Sequence, residues 1–166
     1  LILLLACLFI LVCYKWGDWK NWKSYYSTTL FLIVGDLIEK LVSAAKPLWH
    51  YNSTIFSGTT TALIIVLIIY PCTVLLFIPS YKNSGRIKKV FSLIIWVCIF
   101  SALEYLGIKY NYISYFNGWS FSYSFLLDWM LFSLLIVHQK NPPIAWLLSF
   151  IVGVVITLWF KLPALY

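Results

Sequence analysis

"ALIIVLIIY", residues 62–70, decides the fold class. It carries no charge and none of the polar–apolar alternation of a half-buried strand or a membrane β-barrel. The apolar run around it extends over about 55–79, more than the roughly 20 residues that a helix needs to cross a bilayer. Backbone amides in lipid must be paired within their own segment, so the run reads as a helix. Five more apolar segments flank it, at about 1–14, 25–45, 90–108, 122–138 and 143–162. The expected fold class is all-α: a polytopic bundle of six transmembrane helices, forming one domain over 1–166 with no repeat or low-complexity linker. Five helices is the alternative, because Asp128 interrupts the fifth segment.

Composition agrees. Of 166 residues, 63% are hydrophobic, 20% aromatic and 10% charged, against roughly 25% charged in soluble domains. A soluble protein of this size could not hide so much apolar surface. The net charge of +7 raises the question of a nucleic-acid partner. The positive charges, however, sit in short gaps between apolar runs, the pattern of membrane topology, and no nucleic-acid partner is expected. The four cysteines, Cys7, Cys13, Cys72 and Cys98, form no C-x-x-C pair and read as small packing residues.

Lysines and arginines set the orientation. Lys15, Lys20, Lys23, Lys82, Arg86, Lys88, Lys89 and Lys140 fall on one side, and only Lys46, Lys109 and Lys161 on the other. The positive-inside rule places the first group in the cytoplasm, so both termini face outward. The connection "YKWGDWKNWK", residues 14–23, then lies at the cytoplasmic surface. Its three tryptophans suit the headgroup layer and its lysines suit anionic lipid headgroups. The sequence opens at Leu1 in a run shorter than a full span. A longer first helix is expected there, rather than a signal peptide, because no small-residue cleavage site precedes Tyr14, Lys15 and Trp16. Pro142 and Pro143 suit a helix start, Pro79 closes the third helix, and Pro71 within it should kink the helix and free a carbonyl near Leu67.

The ionisable residues within the apolar segments suggest a site. Asp36 and Lys40 are one helical turn apart, so they share a face, and Glu39 lies beside them. Glu104 stands in the fourth segment and Asp128 in the fifth. Charge at bilayer depth is costly and usually faces a bundle interior or a wet cavity. In the assigned topology all four carboxylates fall between the midplane and the outer surface, which suggests one polar cavity opening outward. The outer loops, 46–52 and 110–123, add an aromatic rim that includes Trp49, Tyr115, Asn117 and Trp119. It reads either as an interfacial belt or as a cover for a ligand. No zinc-protease, nucleophile-elbow, phosphate-loop or dinucleotide motif occurs. Asn52-Ser53-Thr54 matches a glycosylation sequon.

The ordered set "WGDWKNWKSYY", "VGDLIEK", "KPLWHY", "YPCTVLLFIPSY", "SYFNGW" and "PPIAW" resembles an uncharacterised family of small multi-pass membrane proteins of spore-forming Firmicutes, such as bacilli and clostridia. The resemblance covers nearly the whole chain. It implies a bacterial cytoplasmic membrane and a sporulating cell, and it carries no mechanism. Asp128 stands outside those motifs.

Three functions remain open. The leading one is binding or transport of a small cationic or polar solute. Asp36, Glu39 and Glu104 would hold the charge, with Asp128 as a weaker member. Lys40 would set the balance, and Trp49, Tyr115, Asn117 and Trp119 would wall the site. No resident cofactor is expected beyond a bound cation. The second is a membrane enzyme for lipid or lipid-linked substrates, in which Asp36 and Glu104 bind a metal or act as acid and base. The third is an accessory subunit whose carboxylates join helices. A homo-oligomer or a membrane partner protein fits any of the three.

Overall fold

In this computed structural model the described residues are 2–53, 55–82 and 85–163. Thr54, the last residue of the sequon, lies outside them. Six helices follow in order: α1 (Ile2–Trp16), α2 (Trp22–Val42), α3 (Gly58–Lys82), α4 (Arg86–Lys109), α5 (Phe121–Lys140) and α6 (Pro142–Trp159). Four of them, α3 to α6, are long and apolar enough to cross a membrane. The number becomes five if α1 and α2, whose axes lie 88° apart across a short break, count as one bent span. The 15 residues of α1 rise only about 22 Å, short of a hydrocarbon core of about 30 Å. Helix α2 has the length, but Lys23, Asp36, Glu39 and Lys40 break its apolarity.

Helix α3 is the centre, packing against α1, α2 and α4. Pro71 has no amide hydrogen, and its ring would collide with the carbonyl one turn back. The chain answers with a π-helical turn over Ile65–Ile69, in which the Tyr70 amide donates to Ile65 O. The helix runs through this turn as a single 25-residue element. Pro79 does not close it as expected: three further residues, through Lys82, stay helical. Pro79 leaves the carbonyl of Leu75 without its usual donor. The amide of Asp18, in the corner between α1 and α2, binds that carbonyl at 3.2 Å.

The corner itself needs Gly17. A Cβ there would lie 2.4 Å from Cys13 O, which already accepts the Gly17 amide at 2.8 Å and the Trp19 indole at 2.7 Å. Trp16, Trp19 and Trp22 are exposed, and Lys15 sits 4.6 Å above the Trp16 ring.

Helix starts follow local chemistry. Ser57 Oγ accepts the Thr60 amide at 3.1 Å before α3. Asn141 Oδ1 accepts Ile144 N at 3.3 Å before α6, whose first residues are prolines. The end of α6 forms a Schellman turn, with Leu162 N to Thr157 O and Lys161 N to Leu158 O, and Lys161 is left-handed at φ 50°. Lys46 Nζ caps the same end by donating to Phe160 O at 2.6 Å.

The two ends of the bundle differ. At the basic end, Thr28 Oγ1 donates to Gln139 Oε1 at 2.8 Å and lies 3.0 Å from His138 Nδ1. Its one hydrogen is thus used, so Nδ1 of the imidazole carries the other. His138 is buried and stacks on Phe31 at 4.3 Å. At the other end, the rim, two short strands pair antiparallel: β1 (Trp49–Tyr51) and β2 (Ile113–Tyr115), with Trp49 opposite Tyr115. Beneath them Leu48, Trp119, Phe160 and Leu162 form a small apolar cluster separate from the main core.

Candidate functional site

One cavity of about 700 Å³ runs along the bundle, from Trp119 and Leu162 at the rim to Phe31 and Trp146 near the basic end. That volume is within the range of small-molecule sites. Asp36, Glu39, Glu104 and Asp128 all line it, together with Trp49 and Trp119. Four carboxylates from three helices thus border one space.

Hydroxyl groups from neighbouring elements hold three of them. Tyr70 Oη donates to Asp36 Oδ1 at 2.8 Å. Tyr115 Oη donates to Glu104 Oε1 at 2.7 Å. Ser101 Oγ donates to Asp128 Oδ2 at 2.8 Å. Lys40 forms a salt bridge with the other oxygen of Asp36. Among the described residues this is the only carboxylate–cation pair, so Glu39, Glu104 and Asp128 have no cation of their own. The carboxylates are also dispersed: no group of three His, Cys, Asp or Glu among the described residues is close enough to hold a metal ion.

Tyr51 stands among them. Burial pushes its phenol above the ordinary value, and the carboxylates of Asp36, Glu104 and Glu39 push it the same way. Burial likewise raises Tyr115; its bond with Ser124 works against this, and its bond to Glu104 adds to it. Both phenols therefore stay protonated at neutral pH and remain donors. Strand pairing fixes them, since β1 carries Tyr51 and β2 carries Tyr115.

The wall residues separate into two groups. Trp119 is buried, donates its indole to Ser124 Oγ at 2.8 Å and packs on Trp49, Tyr123 and Phe160. Lys40, Tyr115 and Asn117 do not line the cavity. Lys40 acts on it through Asp36, and Tyr115 through Glu104. Asn117 is exposed in a left-handed turn at φ 53°, and its amide donates to Pro47 O at 2.7 Å. Its side chain ties one rim loop to the other.

Three polar wall residues were not singled out by the sequence. Tyr51 was only one aromatic among many in the rim. Tyr70 had a signal in the proline that follows it, since the π turn carries it to Asp36. Thr61 had none. It lines the cavity, is 6% exposed, and its Oγ1 has no hydrogen-bond partner among the described residues. Thr29, Thr73 and Ser149 bond back to the carbonyl one turn earlier, which is the usual resource of a helical hydroxyl; Thr61 does not. The chain matches no family model, no curated protein and no solved structure.

Proposed function

We propose that this protein is embedded in a bacterial cytoplasmic membrane, and that it binds or transports a small cationic or polar solute through the carboxylate-lined cavity. The observation that carries this reading is the convergence of Asp36, Glu39, Glu104 and Asp128 on one space with a single lysine to offset them. Charge imbalance inside an apolar bundle favours a bound cation or a shared proton. Dispersed acceptors suit an organic cation better than a bare metal ion. In this reading the basic end faces the cytoplasm, α1 and α2 are separate passes, and both termini face outward. The resemblance of the motif set to a Firmicutes family extends the proposal to a sporulating cell.

A thermal-shift scan of the purified protein tests it, with monovalent and divalent cations, polyamines, and the variants Asp36→Asn and Glu104→Gln. A ligand that binds only the folded state raises the melting temperature, by about 2.7 kcal/mol of linkage at a hundredfold excess over Kd. The expected result is a cation-dependent rise in the parent that both variants lose. If no cation raises the melting temperature and both variants are simply less stable, the second reading holds. There the carboxylates join helices in an accessory subunit, which the bonds to Tyr70, Tyr115 and Ser101 favour.

A further inference from the structure

The cavity changes character along its length. Toward the rim it is bordered by carboxylates, by Tyr51 and by Thr61. Helix α3, which carries Thr61, packs against β1, which carries Tyr51, so these polar groups share one end. Toward the basic end the wall is Phe31, Leu134, Leu135 and Trp146, with no ionisable side chain among them. A free polyamine or a small hydrophilic solute would leave that half facing apolar walls with nothing to bury.

Resting on the cation-site reading above, we propose that the occupant is an amphiphilic amine: a protonated nitrogen at the rim end with an unbranched apolar tail toward Trp146. Two features converge on this class. The carboxylates of Glu39, Glu104 and Asp128, which have no cation of their own, offer negative charge to a protonated nitrogen at the rim end. The apolar half rewards each methylene of a tail with up to about a fourfold gain in affinity. The same chemistry occurs in a soluble alkylamine and in an aminolipid of the bilayer.

The test is binding of a series of n-alkylamines, from butyl to dodecyl, to the full chain in phosphatidylcholine nanodiscs, with empty discs subtracted. Alkyl sulfates of equal length and spermidine serve as controls. Two variants accompany the parent. Glu39→Gln removes one unpaired carboxylate charge at nearly constant shape. Gly153→Leu adds bulk to the apolar wall, at a position where an added Cβ meets nothing within 4 Å. Affinity should climb with chain length and then level off. Alkyl sulfates should not bind. Glu39→Gln should weaken every amine by about tenfold, and Gly153→Leu should shorten the best chain. Discs of phosphatidylethanolamine distinguish the source. Weaker alkylamine binding there assigns the site to the bilayer's own aminolipid, and unchanged binding assigns it to a soluble amine. If spermidine and butylamine bind as tightly as dodecylamine, the amphiphile is wrong while the cation site stands. If nothing cationic binds at any length, both fall. Equal binding of alkyl sulfates overturns the charge recognition and leaves only apolar partition.

Discussion

Helices α3 and α6 are both apolar enough to cross a membrane, yet protein covers 61% of the apolar stretch of one and 6% of the other. Phe77 of α3 is fully buried among Tyr81, Trp96 and Phe132. Phe150 of α6 is 70% exposed, with Leu158 and Trp159 equally open. In water such a face would be a liability. In lipid it costs nothing, because acyl chains are as apolar as leucine. The difference teaches that hydropathy locates these helices without saying which of them forms the core. Within a membrane bundle, packing and polar bonds make that choice.

The largest effect should come from the enclosed helix. Phe77→Ala removes a ring that other rings surround, and should cost about 3–5 kcal/mol. Phe150→Ala should stay within about 0.5 kcal/mol. Thermal or denaturant unfolding in a mild detergent measures both, and equal losses would break the contrast between the two helices.

A smaller effect separates bonds between helices from bonds within one. Thr28→Val strands His138 Nδ1 and Gln139 Oε1 in the α2–α5 contact and should cost about 1–3 kcal/mol. Ser149→Ala deletes a bond to its own helix and should change the same unfolding midpoint little. A loss of similar size in Ser149→Ala would mean that α6 is held less by lipid than its exposure implies.

The smallest effect concerns the corner docked on α3. Asp18 accepts Asn21 Nδ2 and, at 2.7 Å, the Tyr25 hydroxyl, and these bonds hold its carboxyl below the usual carboxylate value. A depressed folded value means that the stabilisation is present above the unfolded value of about 3.9 and fades as pH falls through the folded one. Asp18→Asn should therefore lower the melting temperature slightly at neutral pH. The gap should close on acidification below about pH 4. The absence of a gap at every pH would show that the corner is held by its backbone bond to Leu75 without help from the Asp18 carboxylate.

Much of the fold was legible because apolar helices announce themselves by long uncharged runs. All six apolar segments became helices, with ends displaced by a few residues. The 88° corner was not legible, because beside Gly17 it rests on the Leu75 carbonyl that Pro79 leaves free, in a helix far along the chain from 16–22. Nor were β1 and β2, since three residues are too few to display alternation. In the site, the common depth of Asp36, Glu39, Glu104 and Asp128 could be read from helix register alone. Asn117 misled, because an amide beside a glycine in an aromatic loop looks like a ligand donor, whereas its own bond to Pro47 O makes it a tie. Thr61 and Tyr51 are single residues in segments without pattern, and only the packing of α3 on β1 brings them to the carboxylates.

The rim joins parts of the chain that are made far apart in time. β1 precedes α3, and its partner β2 follows α4; Asn117 reaches back 70 residues to Pro47, and Lys46 waits for Phe160, 114 residues later. Synthesis is vectorial, with the N-terminal parts formed first. Until α4 and β2 have been made, Tyr51 has no strand beside it, and until α6 is complete, Lys46 has no carbonyl to cap. The carboxylates of α2 are thus made before their cover exists, with only Lys40 and then Tyr70 at hand. Assembly of this protein runs as a zipper whose last tooth is the end of α6, and a chain stopped short of Phe160 would hold its charges in an open cleft.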